Sequence, residues 1–245
     1  MTQGIHFLDA KGPEGVRLYA IGDVHGRLDL LEKMHAAIKE DIGRHPDKGW
    51  RIIHLGDYVD RGRDSRGVLD FLVKALKDQR MAALAGNHDV GFFDFLKRPE
   101  KDGLFALYGG RETAQSYGVK ADFSSQWLAR QVAEELLAAM PNSHVELLTK
   151  LTFSVSFGDF FFCHAGIKPG VPLDEQKPHS LIWIRDEFLD WTGLHPKIVV
   201  HGHTPSPEPE VMANRVNVDT QAYASGVLSA LVIDGREKTL MQVTE

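Results

Sequence analysis

Short apolar runs alternate with longer amphipathic stretches along the whole chain. Runs rich in Val, Ile, Leu and Phe predict strands over residues 17–21, 51–55, 81–85, 152–157, 160–163, 198–200, 216–218, 227–233 and 240–243. Between them, Leu28, Leu31, Met34, Ile38 and Ile42 recur at three- and four-residue spacing, so residues 28–42 predict a helix with one buried face. Residues 68–76 and 127–140 follow the same rule. Phe157-Gly158-Asp159-Phe160 and Asp234-Gly235 predict tight turns between adjacent strands. The first half therefore reads as repeated βα units, and the second, from Thr152 onward, as strands joined in hairpins. The expected fold class is α/β and sheet-rich.

Composition narrows this picture. With 245 residues, 43% of them hydrophobic, the chain can bury a sizeable core, and no linker-like stretch divides it, so a single domain over 1–245 is expected. A net charge of −6 without a basic run argues against a nucleic-acid polymer as partner, because phosphate-backbone binding needs clustered Lys and Arg. Cys163 is the only cysteine, so no internal disulfide forms. The segment MTQGIHFLDA has neither the basic start nor the apolar core of a secretion signal, and no apolar run approaches the roughly 20 residues that span a bilayer. A cytoplasmic protein without a membrane partner is the expectation.

The chemistry sits at the ends of the predicted strands. Five motifs follow apolar runs: GDVHG at 22–26, GDYVDRG at 56–62, GNHD at 86–89, HAG at 164–166 and GHT at 202–204. They supply Asp23, His25, Asp57, Asn87, His164 and His203, an oxygen and imidazole set suited to two divalent transition metals. One Asp or His after a strand is more often a turn former or helix cap. Six in five such motifs are better explained as ligands. Loops at the carboxyl ends of strands converge at one edge of an open sheet, where ligand sites form.

These motifs, in this order, resemble the phosphoprotein phosphatases within the binuclear, calcineurin-like metallophosphoesterases, and most closely their bacterial serine/threonine branch. The likeness runs from GDVHG to Val218-Asp219-Thr220. It implies a metallophosphoesterase fold, a central β-sandwich flanked by helices in α/β/β/α layers. It also implies that Asp23 and His25 hold a first metal, that Asn87, His164 and His203 hold a second, and that Asp57 bridges them. Manganese is the implied ion, with iron, zinc or cobalt also compatible with such ligands. A shared hydroxide would attack phosphorus in line. Arg61 and Arg185 match the positions that grip phosphate oxygens. His88 matches the general acid, and Asp60 the carboxylate that orients it. The mainly helical segment of about 92–150 would flank the cleft and set substrate choice.

Other residues receive plainer readings. Registering on Gly202-His203-Thr204 puts Pro205 where other metallophosphoesterases carry a further histidine, so His201 is expected to be a strand-end or supporting residue. Cys163 and Phe160 to Phe162 read as core. Asp89 stands where eukaryotic members carry Glu, and Gln221 where relatives have Gly, which matters only if that position needs positive φ. The resemblance implies phosphomonoester hydrolysis, with a serine/threonine phosphoprotein as the first expected substrate because GDYVDRG keeps Asp60 and Arg61. A symmetrical diadenosine tetraphosphate hydrolase is the alternative, and a catalytically silent phosphopeptide-binding module the second.

Overall fold

The computed structural model describes residues 4–245. Along the chain run β1 (Val16–Ile21), α1 (Leu28–Arg44), β2 (Gly49–His54), α2 (Ser65–Ala75), β3 (Met81–Ala83), α3 (Asn87–Lys97), α4 (Leu104–Leu107), α5 (Gly110–Ser116), α6 (Gln126–Ala139) and α7 (Asn142–Lys150). Then come β4 (Ser154–Phe157), β5 (Phe160–Cys163), α8 (Pro178–Trp183), α9 (Asp186–Leu189), β6 (Ile198–His201), β7 (Glu210–Val211), β8 (Arg215–Asn217), α10 (Ala222–Ser225), β9 (Val227–Asp234) and β10 (Glu237–Thr244).

The strands form two five-stranded sheets, ordered β10-β9-β1-β2-β3 and β4-β5-β6-β8-β7. The layering follows from the side-chain alternation of a strand. Leu18 and Ala20 of β1 face the second sheet and share a core with Phe160, Phe162, Ile198, Val200 and Val216. Tyr19 and Ile21 point the other way and pack on Leu30, Met34 and Ile38 of α1. In β5 the outward residues Phe161 and Cys163 are covered by Leu181 and Phe188 from α8 and α9. Both faces of each central strand are thus buried, which gives the expected α/β/β/α layers and explains why β1, β5 and β6 read as apolar runs without a polar face. A fourth core joins α2, α3, α4, α5, α6 and α7 through Leu69, Phe92, Phe105, Ala114, Val132 and Leu147.

The βα reading of the first half holds, with β1, β2 and β3 parallel. The hairpin reading of the second half needs correction. Turns at Gly158-Asp159 and Gly235-Arg236 close β4–β5 and β9–β10 as antiparallel pairs, but β5, β6 and β8 run parallel to one another. The segment between β5 and β6 carries α8 and α9 as its crossover, the one between β6 and β8 carries β7, and β9–β10 returns to the first sheet beside β1. Two helices start earlier than their apolar pattern: the Asp64 carboxylate accepts from Gly67 N at 2.8 Å, and the Ser125 hydroxyl from Leu128 N at 3.2 Å. Among the described residues no helix is long and apolar enough to cross a membrane.

Candidate active site

Parallel strands in both sheets deliver their carboxyl ends to one edge. Asp23 and His25 follow β1, and Asp57, Asp60 and Arg61 follow β2. Asn87 and His88 open α3 after β3, while His164 and His203 follow β5 and β6. All but Arg61 are buried to 5% exposure or less. The sheets are tied together here, because the His164 Nδ1–H donates to Leu55 O across the sandwich at 3.1 Å.

The local backbone is strained where the chemistry collects. Among the described residues, the non-glycine positions with positive φ are His25 (42°), Asp57 (53°), Asp60 (72°), Arg61 (68°), His203 (66°) and Gln221 (56°). Such conformations cost of order 1–3 kcal/mol each and persist only where surroundings dictate them. At Asp57 the dictating group is Asp89. Its Oδ2 accepts from Asp57 N at 2.8 Å and Gly86 N at 2.9 Å, and its Oδ1 from Tyr58 N at 2.9 Å. Burial pushes the Asp89 carboxyl up to about 7, with the neighbouring Asp57 charge adding to the rise. Gly86 is required by close approach: a Cβ there would strike the Asp57 backbone and carboxylate. Gln221 does occupy the left-handed region, the condition under which the missing glycine matters, and its N–H donates to Asp219 Oδ1 at 2.8 Å.

Histidine tautomers are fixed by outer partners, the arrangement metal-ligating imidazoles adopt. His25 Nδ1–H donates to Val59 O at 2.8 Å, leaving Nε2 3.3 Å from Asp57 Oδ2. His164 turns its Nε2 to Asn87 Oδ1 at 3.0 Å and Asp57 Oδ1 at 3.4 Å. Ligand atoms of His25, Asp57 and His88, and of Asp57, His164 and His203, lie within 4.8 Å of one another, with Asp57 common to both groups. Asp23 lies outside these two triads. Its Oδ2 accepts from His203 N at 3.1 Å, while its Oδ1, like His203 Nε2, is buried without a partner. His201 lies outside both triads too, its ring edge-on to Phe188.

Charge favours cations here. Burial pushes the Asp23 carboxyl well above its ordinary range, and the negative Asp219 and Asp57 nearby push it further. Burial also acts to raise Asp57, but the flanking His164 and His88 hold it well below the usual carboxylate range. Burial, then the neighbouring His164, depresses His203 to about 2, so its imidazole is neutral and able to donate a lone pair. Arg61 donates to His25 Nε2 at 3.1 Å and His88 Nε2 at 3.0 Å, so a positive group already sits where these lone pairs converge. Two orphaned buried ligand atoms, the neutral His203 imidazole and crowded carboxylates fit divalent metals.

His88, a member of the first triad, also donates its Nδ1–H to Asp60 Oδ2 at 2.7 Å. Asp60 Oδ1 in turn accepts from the Thr113 hydroxyl at 2.8 Å, and Asp60 N donates to Thr113 Oγ1 at 2.8 Å and Ser65 Oγ at 3.1 Å. Arg61 stacks over Tyr223 at 4.9 Å, and Arg185 donates to His203 O at 3.2 Å. Arg61, His88, Arg185, Tyr108 and Trp183 line one cavity of about 270 Å³ with Asp23, Asp57, Asn87 and His203. Thr113, Tyr223, Asp89 and Asp219 are the neighbours that motif spacing did not single out as site residues. The available signal was the last position of GNHD for Asp89 and the Val218-Asp219-Thr220 run for Asp219; Thr113 and Tyr223 carried none.

A carboxylate and imidazole cluster at the strand ends of a two-layered sandwich, with two arginines over it, defines a metal-dependent phosphoesterase centre. The calcineurin-like phosphoesterase family model matches residues 16–227, and the chain belongs to that family. It is similar to the asymmetrical bis(5'-nucleosyl)-tetraphosphatase PrpE of Anoxybacillus flavithermus, 25% identical over 86% of this chain and 88% of that protein. The same-named protein of Geobacillus thermodenitrificans is 27% identical over the same shares. Among solved structures, a candidate diadenosine tetraphosphatase superposes with a TM-score of 0.65 at 20% identity, over 95% of this chain and 98% of that one. A serine/threonine phosphatase from Saccharomyces cerevisiae superposes with a TM-score of 0.55 at 13% identity, over 98% and 85%. Both show the shared fold.

Proposed function

We propose that this chain is a metal-dependent hydrolase of bis(5'-nucleosyl) tetraphosphates, working as a single domain with two divalent cations, manganese foremost. Asp23, His25, Asp57, Asn87, His164 and His203 would hold the cations, with Asp57 between them. The observation that carries the reading is the aromatic rim: Tyr108 and Trp183, 56% and 36% exposed, stand at the mouth of the same cavity that Arg61, His88 and Arg185 line. Flat rings beside a phosphate grip suit a nucleotide, because bases stack on aromatic faces. The tetraphosphatase names of the relatives point the same way. They also favour asymmetrical cleavage, to a nucleoside triphosphate and a monophosphate, over the symmetrical cut that the sequence offered as the alternative to a serine/threonine phosphatase.

Divalent cations bound there supply Lewis acidity and lower the pKa of water. The chain's own residues do the rest. Arg61 and Arg185 bind non-bridging oxygens and offset charge in the transition state. Asp60 fixes the orientation of the His88 ring through its hydrogen bond with Nδ1. Water adds to phosphorus, the P–O bond to the leaving nucleotide breaks, and His88 Nε2 gives its proton to the departing oxygen. A nucleotide leaves as a phosphate anion and needs that proton less than a serine alkoxide does. For that reason the buried Asp60–His88 pair supports the second reading, a serine/threonine protein phosphatase.

Comparison of kcat/KM on diadenosine tetraphosphate and on a phosphothreonine peptide, with manganese present, tests the proposal. The proposal requires the dinucleotide to be preferred and to yield ATP and AMP. Two ADP would move the cut to the symmetrical position, and peptide preference would favour the second reading.

A further inference from the structure

A second groove of about 390 Å³ opens beside the phosphate cavity and shares Asn87, Leu104 and Trp183 with it. It runs between α3, the 98–103 loop and α8. Small-molecule pockets run from about 300 to 1,000 Å³, so the groove of about 390 Å³ has room for a nucleoside beside the phosphate cavity of about 270 Å³.

The groove's lining is amphipathic in a particular way. Phe95 and Phe105 form a buried apolar base, and Leu104 packs so closely over Gly91 that a Cβ at residue 91 would strike it. Trp183 stands at the junction, its ring 6.0 Å from His203 and edge-on to it. Asp94, Arg98 and Glu100 lie exposed along the outer side, and Asp94 and Glu100 are paired in no salt bridge among the described residues. A nucleoside matches such a surface: flat apolar faces for the aromatic wall, and ribose hydroxyls and an exocyclic amine as donors for carboxylates. A phosphate chain would not seek the carboxylates.

We propose that this groove between α3, the 98–103 loop and α8 is a nucleoside subsite, with Trp183 and Leu104 against the base and Asp94 and Glu100 accepting from its polar edge or ribose. It rests on the dinucleoside reading and deepens it, because it seats the nucleoside of a dinucleoside polyphosphate on the Asn87 side of the phosphate site. None of the six expected metal ligands, nor Asp60, His88 or either arginine, depends on Asp94 or Glu100.

The test is an Asp94→Ala/Glu100→Ala double variant, both positions being exposed. The measured quantity is kcat/KM on diadenosine tetraphosphate divided by kcat/KM on p-nitrophenyl phosphate, which carries no nucleoside. Loss of two hydrogen bonds of ordinary strength predicts a ratio about five- to 150-fold lower than wild type, mainly through KM. A ratio within two-fold of wild type, while wild type cleaves the dinucleotide efficiently, overturns the subsite and leaves the parent reading standing. No dinucleotide turnover by wild type overturns both. A Leu104→Trp variant narrows the groove from the other wall, and the same ratio must fall there too. An equal fall on a phosphothreonine peptide would overturn the nucleoside assignment in favour of a peptide groove.

Discussion

Replacing Thr113 with Val removes one hydroxyl and keeps the side-chain shape, at a point where that hydroxyl serves three partners. It donates to Asp60 Oδ1 and accepts from Asp60 N, each at 2.8 Å, and meets Ser65 Oγ at 3.0 Å. All three residues are fully buried. In the variant Asp60 N keeps Ser65, but Asp60 Oδ1 has no other partner among the described residues. A hydrogen bond to a charged group contributes about 1.5–3 kcal/mol, and the Ser65 hydroxyl loses its acceptor as well, so a destabilisation of roughly 2–4 kcal/mol is expected. For a chain of this size each kcal/mol shifts Tm by about 2–4 °C, which gives a drop of about 4–16 °C. Burial already raises the Asp60 carboxyl, and loss of the Thr113 bond raises it further, which weakens its hold on His88. The assay is thermal unfolding with parallel turnover measurements on an alkyl phosphomonoester. A Tm within 2 °C of wild type, with unchanged turnover, would refute the claim that Thr113 fixes Asp60.

Three further outcomes follow from the same geometry. His88→Asn should lower kcat on an alkyl phosphomonoester by about 10²–10⁴, the usual worth of a positioned acid, yet cost less than ten-fold on diadenosine tetraphosphate; equal losses would contradict the leaving-group argument. Manganese at 100 times its Kd should add about 2.7 kcal/mol and raise Tm by roughly 5–11 °C, and Asp57→Asn should abolish most of that rise; metal-independent melting would contradict the ligand set. His35 and His54, Nε2 to Nε2 at 2.9 Å, are pushed by burial from 6.5 to about 3 and about 4. Folded, they refuse protons that the unfolded chain takes up below pH 6.5, so their contribution is full above that pH and declines as pH falls towards 4, by about 1.4 kcal/mol per pH unit for each. Melting from pH 7.5 to 4.5 should show that slope, and a His35→Leu/His54→Leu variant should flatten it.

What could be read from the chain was local. Each motif follows a strand, and strand, turn and first helical residue are neighbours in sequence, so the polar residues gathered around Asp57 announced themselves by spacing. Gln221 is similar: a residue where relatives carry glycine drew attention to φ, and φ there is 56°. Pairing between distant strands left no such trace. β5, β6 and β8 carry apolar runs that fit a hairpin as well as a parallel sheet, and the β5–β6 crossover shows only as α8 and α9, six and four residues long. β7 spans two residues, too few for any period. Thr113 lies 53 residues from Asp60, on a seven-residue helix that begins with glycine, so neither spacing nor propensity pointed to it. Trp183 and Tyr108 were legible as apolar residues but not as a rim, since exposure depends on the whole fold.

Anomalous diffraction from crystals of the manganese-loaded protein tests directly whether two cations bind around Asp57. The account predicts two peaks about 3.5–4 Å apart, the spacing of two-metal hydrolytic sites. Asp57 should lie between them, with His25 at one and His164 and His203 at the other. A single peak, or peaks away from Asp57, would contradict it.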